Sequence, residues 1–293
     1  MATSPDDPAR ELWKRIETLH AVTYFARASV DAAKEAGLRG FWMGYFAFRA
    51  APLGAVGPGV VEAAFANFAP RMVQRAIPDA WSHAQPADLV SVRADAAAEV
   101  LRGLSPDLEA VATRVNRTLA GVVGAASPIG RPLFAANRDV AVRDDPVGQL
   151  WQLCTTLREH RGDGHVIALA AAGITGCEAH HLVIAAQDLP SAVFRENRGW
   201  TEEEWDDAER RLRARGLLDD GGLTASGRRV HDDVEGLTDA LARAPIDATL
   251  STGEFDDLID ALTPPAVEVA TSGVVPFPNP MGLPAISGTP LQT

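Results

Sequence analysis

The chain has 293 residues, of which 46% are hydrophobic and 23% charged, a globular composition with length for two domains and a sizeable core. Its 27 Lys and Arg against 39 Asp and Glu leave a net charge of −12. Residues 1–145 balance, with 16 of each sign, so the whole acidic excess falls in residues 146–293.

The N-terminus, MATSPDDPAR, lacks the basic start and apolar core of a signal peptide. Residues 1–9 are polar and predict a disordered lead-in. A first helix follows through Leu12-Trp13, Ile16, Leu19-His20 and Tyr24, and a second covers about 30–36 and closes at Gly37. The segment 40–51, GFWMGYFAFRAA, is apolar on nearly every face and so predicts a buried or cavity-lining helix. Short helices at 60–68 and from Pro70 lead to a turn between Pro78 and Pro86 and a long helix over 87–101. Residues 105–146 predict a connector holding one more helix.

Landmarks then recur. Leu12-Trp13 returns as Leu150-Trp151, Gly37-Leu38-Arg39-Gly40 as Gly173-Ile174-Thr175-Gly176, and Ala51-Pro52 as Leu189-Pro190. Nearly constant offsets of this kind predict an internal duplication. The expected domains are 10–104 and 147–245, both winged-helix-like, with 70–80 in the first standing where 201–216 stands in the second.

The stretch 199–241 carries the clearest fold signal. Thr201 and Glu204 are spaced as a capping box, and Trp205, Ala208 and Leu212 form an apolar stripe. Asp206 with Arg210, Asp207 with Arg211, and Glu209 with Arg213 are acid-first i,i+4 pairs. Gly216 suits a helix end. Leu217-Leu218, the turn Asp219-Asp220-Gly221-Gly222 and Leu223 predict a hairpin wing, and Thr224 caps a final helix to about Ala242. Beyond it, a short helix over 254–262 and a Pro/Gly-rich extended tail complete the chain, since the tail's composition cannot fold alone. The fold class expected is mainly α.

The segments LHAVTYF (19–25), GFWMGYFAFRAAPLG (40–54), HRGDGH (160–165), the wing and NPMGLP (279–284) together resemble a family of actinobacterial helix-turn-helix proteins of about this length, to which no function is assigned. The resemblance covers nearly the whole chain. It implies tandem winged-helix folds and, by analogy of fold alone, a transcriptional role.

A reading helix meets DNA with its front. Here that front would present Glu202, Glu203, Glu204, Asp206, Asp207 and Glu209, whereas DNA affinity depends on cations. Arg71, Gln74 and Arg75 in the first half are the alternative DNA contacts. HRGDGH offers His160, Arg161, Asp163 and His165, readable as a loop with Asp163 as N-cap, as part of a ligand site, or as metal ligands lacking a third or fourth partner. His20 and Tyr24 share one helix face, and His20 corresponds roughly to His165 in the repeat. Trp42, Tyr45 and Arg49 would wall a shared cavity between the domains, where Arg49 needs an anionic partner and Asn67 needs hydrogen bonds.

The leading reading is a winged-helix-derived protein that binds a small molecule between its domains, with catalysis left open. A transcriptional regulator working through the first domain and a protein-interaction module are the alternatives. No phosphate-binding, dinucleotide or hydrolase signature occurs, so no cofactor is identified. No apolar run reaches the roughly 18 residues of a membrane span. Cys154 and Cys177, the only cysteines, fit a reduced, cytoplasmic protein, and the oligomeric state is open, a homodimer included.

Overall fold

The computed structural model describes residues 7–279, 281–284 and 286. The first helix, α1 (Pro8–Phe25), starts on an Asp-Pro step, where the Asp7 side chain accepts from the Ala9 amide. Residues 7–9 therefore belong to the start of a helix, and only 1–6 of the expected disordered lead-in lie outside the described residues. There follow α2 (Arg27–Glu35), α3 (Gly40–Ala50), α4 (Pro58–Ala64), α5 (Pro70–Gln74), α6 (Ala80–His83) and α7 (Pro86–Leu104). The connector holds two helices rather than one, α8 (Leu108–Ala125) and α9 (Pro132–Arg138).

The central element is α10 (Pro146–Ala171), which packs against α1, α7, α8, α9 and α14. It too starts on an Asp-Pro step, Asp145-Pro146, with the Asp145 carboxylate accepting from Val147 and Gly148. The two Asp-Pro starts have the same separation as Leu12-Trp13 and Leu150-Trp151. HRGDGH is thus the middle of a 26-residue helix, and the loop expected there is wrong. Burial overrides the helix-breaking tendency of its two glycines, each worth only about 1 kcal/mol against Ala.

Then come α11 (Gly176–Gln187), α12 (Ser191–Arg198), α13 (Glu202–Ala214), β1 (Leu218–Asp219), β2 (Gly222–Leu223) and α14 (Ala225–Asp247). The Thr201–Glu204 capping box forms as spelled. Leu218 pairs with Leu223 and Asp219 with Gly222 in the antiparallel wing, and Thr224 caps α14 by accepting from the Gly227 amide. The fold is mainly α with this one small sheet among the described residues. Two of the expected pairs on α13 re-partner: Arg211 reaches Glu178 of α11 at 2.9 Å, and Arg210 meets Asp207. Glu209–Arg213 forms as expected, at 2.8 Å.

The last helix, α15 (Thr252–Thr271), outruns the expected 254–262 by passing through Pro264 and Pro265. Each internal proline costs about 3 kcal/mol. The buried face Leu258, Leu262, Pro265, Ala266 and Val269 packs against α1, α7 and α8 and offsets that cost. Residues 263–271, expected as the start of the extended tail, are therefore helical, and of the part beyond α15 Val275, Phe277 and Leu283 are buried in the main core. Residues 280, 285 and 287–293 of that tail lie outside the described residues. This core draws on residues from Ala9 to Leu283 and centres on Trp151 and Leu150. A second cluster gathers Phe46, Phe65 and Phe68 with α7, and a third joins α10, α11, α13, the wing and α14.

Candidate functional site

The stretch after α4 docks the first half of the chain onto the second. The Ala69 amide donates to the Arg198 carbonyl (2.9 Å), and His180 Nε2 (3.0 Å) and Trp200 Nε1 (3.2 Å) both donate to the Asn67 carbonyl. The approach is so close that a Cβ on Gly176 would fall inside the Ala66 carbonyl; α11 can begin there only with glycine.

The docked halves border a partly open cavity of about 510 Å³ between α1, α3, α10, α11, α12 and α14, within the size range of small-molecule sites. Arg158, Arg161, His165 and Leu169 recur along α10 at helical spacing and so share the face that lines it. The wall contains five arginines, Arg10, Arg49, Arg158, Arg161 and Arg198. The rest of the lining includes the apolar Phe65, Phe68, Leu182, Val183 and Phe194.

Most of the charges are braced from behind. Arg49 grips Glu159 through two bonds of 2.8 and 2.9 Å, and Arg158 lies 2.9 Å from the same carboxylate and 3.2 Å from Glu17. Arg161 reaches Asp239 at 2.8 Å, and Arg10 reaches Asp239 and Glu235 at 2.6 and 2.9 Å. Burial pushes the Glu159 pKa up, but Arg158 and Arg49 together outweigh it and hold the carboxyl well below its usual range. Burial alone would lower Arg49, but the Glu159 charge raises it, so the pair stays ionised. Rings flank the guanidinium groups: Arg49 lies 4.0 Å over Phe65, Arg161 4.8 Å from Trp13 and Arg198 4.6 Å from Phe68.

Asn67 and Arg161 are among the lining residues that keep an unused polar atom. Asn67 Oδ1 and Arg161 Nε are buried with no hydrogen-bond partner among the described residues. His165 has a defined tautomer. Thr238 Oγ1 donates to the Val234 carbonyl, so it accepts from His165 Nδ1 (3.1 Å) and leaves the lone pair on Nε2. Burial lowers the His165 pKa against the raising effect of Glu235, and burial takes His180 down to about 3. Both imidazoles are neutral at neutral pH. The thiols offer no nucleophile, since burial raises Cys154 and pushes Cys177 up to about 12.

Of the ten residues expected at a ligand site, Tyr45, Arg49, Asn67, Arg161 and His165 line this cavity. The other five do not. His20 is sealed in the core, stacked on Trp151, donating from Nδ1 to Thr155 and accepting at Nε2 from Tyr24. Burial depresses its pKa strongly and raises that of Tyr24. Trp42 packs edge-on against Tyr45 and Phe68. His160 and Asp163 point from α10 toward α9, where His160 meets the Phe134 ring and the Asp163 carboxylate accepts from the Phe134 amide at 2.9 Å. Asp163 therefore caps another helix, and the two histidines of HRGDGH face different neighbours and cannot share a metal. Among the described residues no three His, Cys, Asp or Glu cluster as metal ligands.

The sequence missed Arg10, Arg158, Arg198, His180 and Glu235, with Glu159 behind them. Arg49's need for an anion was the one usable signal, and Glu159 answers it.

The alternative DNA contacts fare differently. The helix expected over 70–80 is only α5, because residues 75–79 form turns. Arg71 is bound to Glu204 at 2.7 Å and to the Gly199 carbonyl, and Gln74 donates to Glu62. Arg75 is exposed, with no ion pair among the described residues. The front end of α13 is thus occupied by Arg71 from within the molecule. No single helix among the described residues is long and apolar enough to cross a membrane. Comparison with known families matches residues 9–276 to the one described as the Helix-turn-helix family. No curated protein and no solved structure matches the chain.

Proposed function

The chain belongs to the Helix-turn-helix family, and we propose that this member holds a small molecule in the cavity between its two halves and does not read DNA through α13. The observation that carries the reading is the concentration of five arginines and an aromatic wall around about 510 Å³ in a chain of net charge −12. Buried guanidinium groups are expensive unless paired or used. The matched Asp-Pro starts of α1 and α10, 138 positions apart, support reading the halves as a diverged duplication. The cavity would then lie where the two copies meet.

A thermal-shift screen of metabolites, confirmed by calorimetry, tests the binding. Ala179 lines the cavity, so Ala179→Phe fills it; hits should stabilise the natural protein and lose their effect on the variant. Equal stabilisation of both proteins would place binding elsewhere and end the reading. For DNA, fluorescence anisotropy at low salt should register no micromolar binding to duplex. Micromolar binding that disappears in Arg75→Ala would favour a regulator acting through the first half instead.

A further inference from the structure

The cavity's chemistry selects among ligands. Resting on the cavity reading above, we infer that its ligand is an organic acid with an apolar, ring-sized body and a hydrogen-bond donor away from the acid group. Three features of the lining point to this class.

The first is the charge. Arg10, Arg49, Arg158, Arg161 and Arg198 line the cavity, against Glu17 and Glu235 as its lining carboxylates. Glu159 and Asp239 behind the wall, with Glu17 and Glu235 on it, pair with Arg49, Arg158, Arg161 and Arg10 without filling their donor capacity: each guanidinium has five N–H groups, and Arg161 Nε has no acceptor among the described residues. An added carboxylate satisfies such donors with charge-assisted bonds, whereas an added cation finds every one of the four carboxylates already paired with arginine. The neutral state of His165 leaves this preference to the arginines, with Nε2 available to accept a hydrogen bond or to take up a proton beside an anion.

The second is the body. Phe65 and Phe68 lie on the lining under Arg49 and Arg198, with Leu182, Val183 and Phe194 nearby. A flat apolar group buried there is removed from water and completes the aromatic wall. The third is Asn67. Its backbone carbonyl is taken by His180 and Trp200, which holds the residue in place, while its Oδ1 is buried without a donor among the described residues. A buried amide oxygen in this state calls for a donor, and a ligand hydroxyl or N–H supplies one.

The test uses four matched probes on the full chain: 6-hydroxy-2-naphthoate, 6-hydroxy-2-naphthamide, 2-naphthoate and 6-hydroxy-2-naphthylmethylamine, titrated by calorimetry. The hydroxy acid should bind at least about tenfold tighter than its amide and than the acid lacking the hydroxyl, with the amine weakest. Arg161→Gln should erase the acid-over-amide preference, and Asn67→Val the preference for the hydroxyl. Because Arg161 also anchors Asp239, the ratios within the unaltered protein stand as the primary readout. If acid, amide and amine bind equally and all are lost in Ala179→Phe, the cavity binds ligands but the acid assignment is overturned. A tighter amine would overturn it too. If none of the four binds, or Ala179→Phe leaves their binding unchanged, both this inference and the cavity reading fall.

Discussion

Two helices of the second half, α13 and α10, are both rich in charge and use it in opposite ways. On α13 the buried residues are Trp205, Ala208 and Leu212, and the acids and arginines lie on its outer faces, pairing with one another, with the wing, with Glu178 and with Arg71. On α10 the charged residues Glu159 and Asp163 are as buried as its leucines, and Arg158 and Arg161 are nearly so. Charge on α13 meets water, where an ion pair is worth little. Charge on α10 has been removed from water, so each group there depends on a specific partner. A helix of the first kind can be altered with small effect, and a helix of the second kind cannot.

The sharpest way to break this contrast is Glu159→Ala. It leaves Arg49 and Arg158 buried against each other with no carboxylate between them, and urea titration should register a loss of about 3–5 kcal/mol. The double variant Arg49→Met, Glu159→Leu removes the whole pair and should recover most of that loss. If the double variant is as unstable as the single one, lost packing and not an orphaned charge is the cause.

Gly176→Ala comes next. The new methyl would occupy the place of the Ala66 carbonyl, so residues 66–69 must retreat, at about 1–3 kcal/mol. Trp200 donates to the Asn67 carbonyl in the same stretch, and its fluorescence should report the shift along with weaker ligand binding.

The same contrast explains what could be read in advance. The wing half was legible because α13 obeys helical periodicity, spells its cap as Thr201 and Glu204, and ends on Gly216. Half of the site was legible too: Arg49 inside an apolar segment and Asn67 between phenylalanines stand out as polar groups in need of partners. HRGDGH misled, because six consecutive residues with two glycines and no aliphatic side chain look like a loop. Periodicity assigns a helix by its apolar stripe, and on α10 the buried face at that point is made of Glu159, His160, Asp163 and Gly164. Arg158 and Glu159 were hidden for the same reason, and their partners lie far off in sequence at Glu17 and Arg49. The two prolines of α15 hid its second half, since packing against α1, α7 and α8 is what makes that helix continue.

Asp163 gives a third test. Burial pushes its carboxyl up to about 7, against the lowering effect of the Phe134 amide. Glu159 also raises it, Arg49 and the Leu133 amide lower it, Arg131 stands near, and His160 stays neutral above about 4. Because the folded value lies above the unfolded one, the native state holds the extra proton between the model-peptide range near 4 and about 7. Stability therefore falls as pH rises through that window, with a slope of at most about 1.4 kcal/mol per pH unit. Asp163→Asn should flatten the slope in denaturation series across this range. An unchanged slope would assign it to other groups.

The smallest effect is expected on α13. Thr201 Oγ1 accepts from the Glu204 amide at 3.2 Å, so Thr201→Ala removes one cap, worth about 1 kcal/mol. Glu204 still has Arg71 at 2.7 Å, so the junction between the halves keeps its ion pair and ligand binding in the cavity should not change. Calorimetry beside thermal melting separates the two readouts. A modest loss of stability with unaltered affinity is what an outward-facing helix gives. If affinity falls as well, the front of α13 positions the cavity through Glu204 and Arg71, and the division of labour between the two helices is less complete than their burial suggests.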